Sequence, residues 1–589
     1  MALKESAAHP SAAERLIRLA SRLGIEYIFA NLGSDHPAFI EALARLREAG
    51  EPAPKVIVCP HEMTALSAAH GHAMLTRRAQ LVLVHVDVGT QNLGGSVHNA
   101  CRGRVPVIVV AGLSPVSEDA ARTGSRTEYI HYIQDTTRQH DLVAPFMKWL
   151  YELRDPATTE TTVLRAHQLA ASEPQGPVYL TGAREVWDAA APDATPDPGL
   201  RGPAGKAALA PDAVENLHAL LAGARRPLLI TTYAGRDPAT AGKLVAVCDK
   251  YGLGVVEVGP QYMNFPGDHA CHLGYRRDWL VDEADAIVLL DVDVPWLPRN
   301  TGPAPDARVI HIDADPLKPT LGAWHFEAHE RHQADSGVAL DQLLRAGLPV
   351  DAALKRERLA WIRTRSPAAT GPAPASGPLT AQEVTLAVKE LLHERSIVLC
   401  EEPSNAYVIA STLRMSRPGS FYASGGSGLG WCINAAVGAK LAAPDAEVIA
   451  LVGDGCYVFG VPASAYWVAR TYGAPMLTVI YNNSGWRSPK ASTELVHPTG
   501  AAHAADAYWV AASAGSRLAD LAAAAGDAQA IRVEDRRELR TALAQGLASV
   551  RAGRPAVIEA MLAPATSQAL GTPHIPTGTP SLRGSDPAA

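Results

Sequence analysis

Three features are missing from the sequence, and each absence narrows the range of proteins it can encode. The seven cysteines contain no CxxC pair, which predicts buried free thiols in a reducing cytosol. No run of about 18 apolar residues occurs, so no transmembrane helix is expected, and residues 1–10 lack the apolar core of a signal peptide. The net charge of −7 argues against a general nucleic-acid binder. These absences predict a cytoplasmic protein without nucleic-acid or membrane partners.

The chain is too long for one hydrophobic core. Its 589 residues, at roughly 150 residues per domain, predict three or four domains. Two stretches rich in Pro, Gly and Ala, at residues 190–208 and 366–378, are predicted linkers. Between them short apolar strands alternate with helical patterns, which indicates an α/β fold of doubly wound parallel sheets. The predicted units are three α/β domains at residues 1–188, 205–350 and 379–565, and a flexible tail at residues 566–589.

Two predicted strand ends in the third domain carry hard oxygen ligands. One apolar run ends in Gly453-Asp454-Gly455, and the next ends in Asn482-Asn483. Because the carboxyl ends of parallel strands face one crevice, a carboxylate and an amide oxygen there can reach one ion. Mg²⁺ prefers oxygen ligands together with phosphates, and glycine lets backbone N–H groups approach a phosphate closely. The sequence therefore predicts a Mg²⁺–diphosphate site. A helix-capping aspartate followed by an asparagine-rich turn is the alternative.

The Gly-Asp-Gly and Asn-Asn pair resembles the thiamine diphosphate (ThDP) binding motif, and the resemblance extends over nearly the whole chain. The pyruvate oxidase, acetolactate synthase and benzoylformate decarboxylase group has three α/β domains, which are pyrimidine-binding, central and diphosphate-binding. Both predicted linkers fall where that plan requires them. The resemblance implies ThDP and Mg²⁺ as cofactors, with Asp454, the Asn483 side chain and the Gly485 backbone oxygen as metal ligands. The choice between Asn482 and Asn483 stays open at this point.

Further residues of the third domain are implied to touch the cofactor. Leu429, beside Gly428 in a Gly-rich stretch, resembles the wedge that forces ThDP into a bent shape, and an ordinary core leucine is the alternative. Ser404 and Asn405 follow a predicted strand and are similar to a turn that contacts the diphosphate, and a simple helix cap at Ser404 is the alternative. The remaining implied cofactor contacts are Gly453, Gly455 and Cys456.

Glu62 is the predicted anchor in the first domain. Its surroundings, from Cys59 to Ala73, resemble the family helix that bears the cofactor-activating glutamate. The resemblance implies that Glu62 protonates the pyrimidine ring, whose imino nitrogen then removes the thiazolium C2 proton. A buried glutamate has a raised pKa, which suits such proton exchange. A solvated partner of the helix dipole is the alternative.

Three residues concern the substrate. Ser34, His85 and His269 lie in local contexts similar to those of benzoylformate decarboxylase, which has an active-site serine and two catalytic histidines. A histidine can return a proton to the carbanion-enamine after CO₂ leaves. The alternatives are two packing or surface histidines and a serine that caps a turn.

The sequence also departs from that decarboxylase. His36 and Asp87 add polar groups beside the proposed pocket, and the segment after the Asn-Asn pair has no clear counterpart. In this segment Trp486 is a candidate to fill an apolar pocket, and Arg487 and Lys490 are candidates to bind a substrate carboxylate or phosphate. A solvated loop is the alternative. These departures leave the identity of the substrate open.

The predicted activity is ThDP- and Mg²⁺-dependent decarboxylation of a 2-oxo acid through a carbanion-enamine, as in benzoylformate decarboxylase. An acetolactate-synthase-like carboligase and a 2-hydroxyacyl-CoA lyase are the alternatives, and a non-catalytic thiamine-fold protein is a rival from another class. Some relatives bind FAD or an adenine nucleotide in the central domain, but no strand-GxGxxG-helix fingerprint supports this here. The family forms its site between two subunits, which implies at least a homodimer and favours a homotetramer.

Overall fold

The computed structural model describes residues 9–119, 122–192, 197–275, 280–347, 350–367, 377–513 and 515–565. Three parallel sheets follow one another along this part of the chain, which confirms the predicted fold class. The predicted tail at residues 566–589 lies outside the described residues, as do parts of both predicted linkers. The domain boundaries stay predictions.

The first sheet has six parallel strands. They are β1 (Tyr27–Ala30), β2 (Lys55–Val58), β3 (Gln80–Val84), β4 (Val107–Leu113), β5 (Leu150–Leu153) and β6 (Val178–Ala183). The helices are α1 (Ala12–Arg22), α2 (Pro37–Glu48), α3 (Glu62–Thr76), α4 (Val88–Asn92), α5 (Gly95–Arg102), α6 (Ile130–Ile133), α7 (Thr159–Ala171) and α8 (Arg184–Asp188). The strand order is β2-β1-β3-β4-β6-β5. The apolar run at residues 81–86 predicts a strand, but β3 ends at Val84 because the Val86 N–H donates to the Asp35 carboxylate.

The second sheet has five parallel strands, numbered β7 to β11 along the chain, and their order across the sheet is β11-β10-β9-β7-β8. They are β7 (Pro227–Thr231), β8 (Gly254–Glu257), β9 (Ala286–Leu290), β10 (Arg308–Asp313) and β11 (Glu330–Gln333). The helices are α9 (Pro211–Gly223), α10 (Pro238–Tyr251), α11 (Ser336–Arg345) and α12 (Ala352–Arg365). The apolar runs at residues 227–230, 254–257, 286–290 and 309–312 predict strands, and they correspond to β7 to β10. The side chains of the short edge strand β11 are alternately half-buried and exposed. The strand has no run of apolar residues from which it could have been predicted.

The third sheet also has six parallel strands. They are β12 (Ser396–Glu401), β13 (Phe421–Ala423), β14 (Glu447–Gly453), β15 (Leu477–Asn482), β16 (Gln529–Val533) and β17 (Ala556–Met561). The helices are α13 (Ala381–Lys389), α14 (Ala406–Leu413), α15 (Cys432–Ala442), α16 (Asp454–Phe459), α17 (Pro462–Thr471), α18 (Arg487–Val496), α19 (Ala501–Ala505), α20 (Leu518–Gly526) and α21 (Arg536–Arg551). The order is β13-β12-β14-β15-β17-β16. As predicted, β14 and β15 are neighbours and lead to the two motif ends.

Short 3₁₀ helices complete the described elements. They lie at Gln139–Leu142, Ala144–Phe146, Pro156–Thr158, Pro198–Arg201 and Ala234–Arg236. All seven cysteines are free thiols, and only Cys101 is not fully buried. In the part of the chain that the structure describes, no helix combines the length and the apolar character needed to cross a bilayer.

Helices α3 and α15 join the first and third domains. A Cβ on Gly71 would overlap the backbone of Ala435, and a Cβ on Gly438 would overlap the backbone of Ala68. Because glycine has no side chain, the two helices pack with their backbones in contact. This packing fixes the strand ends of the first sheet relative to those of the third.

Candidate functional site

A cavity of about 770 Å³ opens at the carboxyl ends of β12, β14 and β15. Nearly all the third-domain residues that the sequence assigned to the cofactor line it, namely Ser404, Gly428, Leu429, Gly453, Asp454, Gly455, Cys456, Asn483 and Gly485. Asn405 is the exception, because its Nδ2 donates to Glu402 Oε1 at 3.1 Å. The cavity is therefore built where an open parallel sheet binds its ligands.

Asp454 places a buried carboxylate in this cavity. Its side chain accepts hydrogen bonds from the Ser513 hydroxyl and from the backbone N–H groups of Gly455 and Gly485. Burial raises the pKa of Asp454, although these hydrogen bonds oppose the shift. Buried carboxylates are normally paired with a cation or coordinate a metal. Asp454 lines the cavity together with Asn483 and Gly485, and their carboxylate, amide and backbone oxygens are the ligand types that Mg²⁺ prefers.

The two asparagines after β15 point in different directions. Asn482 is fully buried and donates from Nδ2 to Glu559 Oε1 at 2.7 Å, while its Oδ1 accepts the Ser484 N–H at 2.8 Å. Asn483 lines the cavity, and its Oδ1 accepts the Gly485 N–H at 3.1 Å. The side chain of Asn483, and not that of Asn482, is therefore available to a metal beside Asp454.

Replacing each asparagine separately should distinguish these two environments. We expect Asn483→Ala to weaken Mg²⁺-dependent ThDP binding without changing the thermal stability of the apoprotein. Asn482→Ala removes a partner of the buried Glu559 and should destabilise the apoprotein by about 1–3 kcal/mol. Calorimetry and a Mg²⁺ titration of both variants provide the measurement. The assignment would fail if Asn482→Ala lost Mg²⁺ affinity at unchanged stability while Asn483→Ala bound normally.

Two acidic residues that the sequence analysis did not single out also line the cavity. Glu401 accepts the backbone N–H groups of Gly430 at 2.8 Å and Cys432 at 2.7 Å. Burial raises the pKa of Glu401 to about 8 and that of Glu402 to about 7. Both oxygens of Glu401 accept backbone N–H groups, and burial favours the uncharged form of the two carboxyl groups. The Glu-Glu pair at the end of a predicted strand was the signal that could have identified them.

Leu429 lines the cavity and also packs against the edge of the hydrophobic core. It is half-buried and its neighbours Gly428 and Gly430 hold the chain against two other segments. A Cβ on Gly428 would lie 2.5 Å from Gly95 O, and one on Gly430 would lie 2.6 Å from the backbone of Phe459. The loop is thus fixed on both sides while the leucine side chain faces the open space. This placement is the one that a wedge beneath a cofactor requires.

The first domain gathers a second set of polar groups at the ends of β1 and β3. Glu62 begins α3 and its Oε2 accepts a hydrogen bond from Asn92 Nδ2 at 3.1 Å. Gly89 separates it from His85, since a Cβ there would lie 3.3 Å from Glu62 Oε1 and 3.0 Å from His85 Cβ. His85 Nδ1 hydrogen-bonds with Asp35. The structure therefore brings Glu62 and His85 together, as the sequence predicted.

Ser34 joins this group next to two residues that the sequence analysis missed. Its Oγ lies 3.4 Å from His131 Nε2, and Gln134 Oε1 lies 3.1 Å from His85 Nε2. His131 and Gln134 come from a long connection with no periodic apolar pattern, so nothing in the sequence placed them here. Asp35 was detectable only through its position beside Ser34. These groups form the first-domain cluster, which we define as Ser34, Asp35, Glu62, His85, His131 and Gln134.

Comparison with known protein families decides the nature of the two sites. The family described as thiamine pyrophosphate enzyme, N-terminal TPP binding domain, matches residues 10–142. The family described as thiamine pyrophosphate enzyme, C-terminal TPP binding domain, matches residues 404–560. The chain belongs to the thiamine diphosphate-dependent enzymes. Recognition of this family from the sequence is thereby confirmed.

Individual relatives of this ThDP enzyme are distant but cover most of the chain. It is 26% identical over 473 residues to benzoylformate decarboxylase of Pseudomonas aeruginosa, covering 78% of this chain and 84% of that one. It is 27% identical over 497 residues to the acetolactate synthase large subunit of Parasynechococcus marenigrum, covering 80% and 76%. The enzyme is thus related to both a decarboxylase and a carboligase.

Solved structures share the fold of this ThDP enzyme. A ThDP-dependent 4-hydroxybenzoylformate decarboxylase of Rhodococcus jostii superposes with a TM-score of 0.79 at 23% identity, covering 94% of this chain and 99% of that one. A benzoylformate decarboxylase of Polynucleobacter necessarius gives a TM-score of 0.80 at 19% identity, covering 94% and 98%. At these identities the likeness establishes the fold alone.

His269 lies apart from the other predicted substrate residues of the enzyme. Its Nε2 is 3.5 Å from Asp249 Oδ1, its Nδ1 accepts the Cys271 N–H at 3.1 Å, and its ring meets Phe265 edge-on. These contacts all lie within the second domain, and His269 is not among the described residues that line the cavity. The structure of one chain thus does not bring His269 to Ser34 and His85.

The segment after the Asn-Asn pair is helical. Two of its three candidate residues face the cavity, and the third does not. Trp486 and Arg487 line the cavity at the start of α18, and Trp486 packs against Phe459 with ring centroids 6.3 Å apart. Lys490 is directed elsewhere, because its Nζ pairs with Asp506 Oδ1 at 2.8 Å. Of the two cations considered for an anionic substrate group, Arg487 is the one that faces the cavity.

The strand-end crevice of the second sheet contains an ionic network. Arg104 from the first domain donates to Asp313 Oδ1 and Asp293 Oδ1, both at 2.8 Å. Lys318 Nζ reaches Asp313 Oδ2 at 2.6 Å. An open sheet of this order binds nucleotides at such a crevice. Here the acidic side chains face basic ones of the same chain, so the FAD or nucleotide considered from the resemblance gains no support.

Proposed function

We propose that this enzyme decarboxylates a 2-oxo acid with ThDP and Mg²⁺, in the manner of a benzoylformate decarboxylase. The observation that carries the proposal is the first-domain cluster, in which His85 lies beside Glu62 and the Ser34 hydroxyl lies 3.4 Å from His131 Nε2. Decarboxylation to an aldehyde needs a proton donor at the reacting carbon, and histidine is suited to that task at neutral pH. Relatives named as benzoylformate decarboxylases support the same reaction.

The third-domain cavity and the first-domain cluster would each form one half-site, and the residues of each half-site would have separate roles. Asp454, the Asn483 side chain and the Gly485 backbone oxygen would hold Mg²⁺ and with it the diphosphate. When bound, ThDP supplies the group that accepts the electron pair left by CO₂. Glu62 would exchange a proton with the pyrimidine ring, and His85 would hold at Nε2 the proton that the product receives.

A second copy of the chain is part of this proposal. The described residues that line the cavity come from the second and third domains, and Glu62 is not among them. One chain therefore offers a cofactor cavity and, separately, a first-domain cluster. A homodimer in which each subunit completes the other's site accounts for both, and we favour a homotetramer of two such pairs. The cytoplasmic location likewise remains a prediction.

Two other reactions compete with decarboxylation. The relatives named as acetolactate synthases favour a carboligase, in which a second carbonyl compound takes the place of the proton. A 2-hydroxyacyl-CoA lyase is the other alternative. His85 favours decarboxylation, because a proton donor at the reacting carbon would compete with ligation.

Product analysis with benzoylformate and with pyruvate should separate these reactions. We expect one CO₂ and one aldehyde per 2-oxo acid consumed, with turnover that requires ThDP and Mg²⁺. His85→Ala should lower the rate of aldehyde release by about 10²–10⁴-fold, which is the usual contribution of a general acid. Chromatography of the products and CO₂ release provide the measurement. Acetolactate formed from pyruvate without free aldehyde would overturn the decarboxylase proposal.

A further inference from the structure

The interior of the first domain contains a narrow space, which we call the slot, and the side chains of Asp35 and His85 fill it. A Cβ on Gly33 would overlap the His85 ring, and a Cβ on Gly112 would overlap the Asp35 carboxylate. Protein interiors are close-packed, so even alanine at either position would displace the pair. The slot is thus shaped by two glycines from separate segments of the chain.

Asp35 is held rigidly within this slot. It is 1% exposed, Oδ2 accepts the Val86 N–H at 3.0 Å, and Oδ1 faces His85 Nδ1. His36 Nδ1 also lies 3.2 Å from Oδ1, but that nitrogen accepts the Gly33 N–H at 2.9 Å and has no proton to give. The cationic partner of the buried carboxylate is therefore His85, since a buried charge needs a partner.

The other nitrogen of His85 also has an acceptor. Its Nε2 lies 3.1 Å from Gln134 Oε1. Because Nδ1 faces the Asp35 carboxylate, that nitrogen carries a proton, and Nε2 is the nitrogen that can bind and release a second one. The Nε2–H end is directed away from Asp35, so it is the end that can give up a proton.

We propose that Asp35 is the positioning residue of the proton donor: it fixes the His85 ring so that Nε2 faces the reacting group, and it stabilises the imidazolium. The inference rests on the proposed function for the identity of the proton acceptor, but the pairing itself does not depend on which 2-oxo acid is used. Asp35 touches no substrate and acts through His85 alone.

Electrostatics within the cluster agree with this geometry. Burial lowers the pKa of His85, but the hydrogen bond and charge of Asp35, with contributions from Gln134 and Glu62, outweigh it and raise the pKa above its ordinary value. Burial raises the pKa of Asp35, but the hydrogen bond and charge of His85 oppose this effect, and the pKa lies below its ordinary value. The titratable groups that face His85 are Asp35, His36 and Glu62. His131, and Arg184 beside it, influence the cluster from the Ser34 side.

Carbethoxylation of the apoprotein tests the charge state without any turnover. Diethyl pyrocarbonate reacts with neutral imidazole, so the rate at the His85 peptide, followed by mass spectrometry across a pH series, reports its protonation. We expect the Asp35→Asn variant to react at His85 at lower pH than wild type does. Asp141→Asn is the matched control, because this carboxylate of the same domain has a side chain that is 51% exposed, and it should leave the His85 profile unchanged.

Kinetics provide the second readout. Asp35→Asn should lower kcat by about 10²-fold, at the lower end of a general acid's contribution, with little change in KM. The fall in activity with rising pH should move to lower pH, because the donor must be protonated. In a His85→Gln background Asp35→Asn should cost nothing further, since residues that act as a unit are not additive.

Several results would overturn the inference. One is a pH profile of His85 carbethoxylation that is the same in Asp35→Asn as in wild type. Another is a loss of kcat from Asp35→Asn that is as large in the His85→Gln background as in wild type. If Asp35→Asn does not fold, the pH profile of His85 in the wild-type protein still tests the inference. A wild-type His85 with a pKa at or below the ordinary histidine value would contradict the pairing. An enzyme that formed acetolactate would contradict the decarboxylase proposal and leave the His85 profile as expected.

Discussion

Glu62→Gln is expected to lower kcat by about 10³-fold, within the range of general acid–base catalysis, while ThDP and Mg²⁺ still bind. Glu62 is 6% exposed and its carboxylate accepts a hydrogen bond from Asn92. Glutamine has the same size and can accept that hydrogen bond, but it cannot exchange a proton with the pyrimidine ring. The groups proposed to hold Mg²⁺ and the diphosphate lie in the third domain, so affinity should be retained.

Steady-state kinetics and a ThDP titration followed by protein fluorescence would measure these two effects. Glu48→Gln, at the exposed end of α2, is the matched control and should behave as wild type. Exchange of the thiazolium C2 proton, followed by NMR in heavy water, should slow in parallel with kcat in Glu62→Gln. Normal turnover in this variant would show that Glu62 does not activate the cofactor, and loss of ThDP binding would assign it a binding role instead.

Asp454→Asn is expected to abolish Mg²⁺-dependent ThDP binding and therefore activity. Loss of an outer-shell partner alone costs a metal site about 10–100-fold in affinity, and Asp454 is the charged ligand proposed for the ion. The apoprotein should be no less stable than wild type. Burial raises the pKa of Asp454, because it disfavours the charge of the ionised carboxylate. Asparagine removes that charge.

Thermal denaturation with and without ligand would measure both effects. At a ligand concentration of 100 times Kd, wild type should gain about 2.7 kcal/mol from binding, whereas Asp454→Asn should gain nothing. Asp445→Asn, just before the amino end of the same strand β14, is the matched control because this residue is exposed. A normal ligand-induced shift in Asp454→Asn would place the metal elsewhere.

Mixing the two inactive variants would test whether the half-sites come from different subunits. If Glu62 and Asp454 of different chains serve one site, a mixed dimer of Glu62→Gln and Asp454→Asn contains one intact site and one doubly altered site. Co-expression should then restore a substantial fraction of activity. If both residues of one chain served the same site, the mixture would stay inactive.

The sequence predicted the fold and the cofactor half of the site more completely than the substrate half. Strands β12, β14 and β15 were expected close to their observed positions because buried parallel strands are short apolar runs with clear ends. The edge strands β5 and β11 were missed because half-exposed strands lack such runs, and β13, β16 and the buried strand β17 were not predicted either. The Asn405 side chain hydrogen-bonds with Glu402 instead of facing the cavity. The position of Asn405 in the sequence could not show this.

The sequence by itself indicated a Mg²⁺–diphosphate site, because Asp454 and Asn483 end neighbouring parallel strands and that topology brings them to one edge. Its resemblance to the ThDP binding motif implied the cofactor class. Tertiary structure decided which asparagine faces the cavity and joined residues that are distant in the chain. It paired Asp35 with His85 and Ser34 with His131, and it left His269 with Asp249. These pairings depend on the paths of long connections, whose conformation is set by packing and not by any local pattern. The partners of Ser34 and His85 could therefore be recognised only in the folded chain.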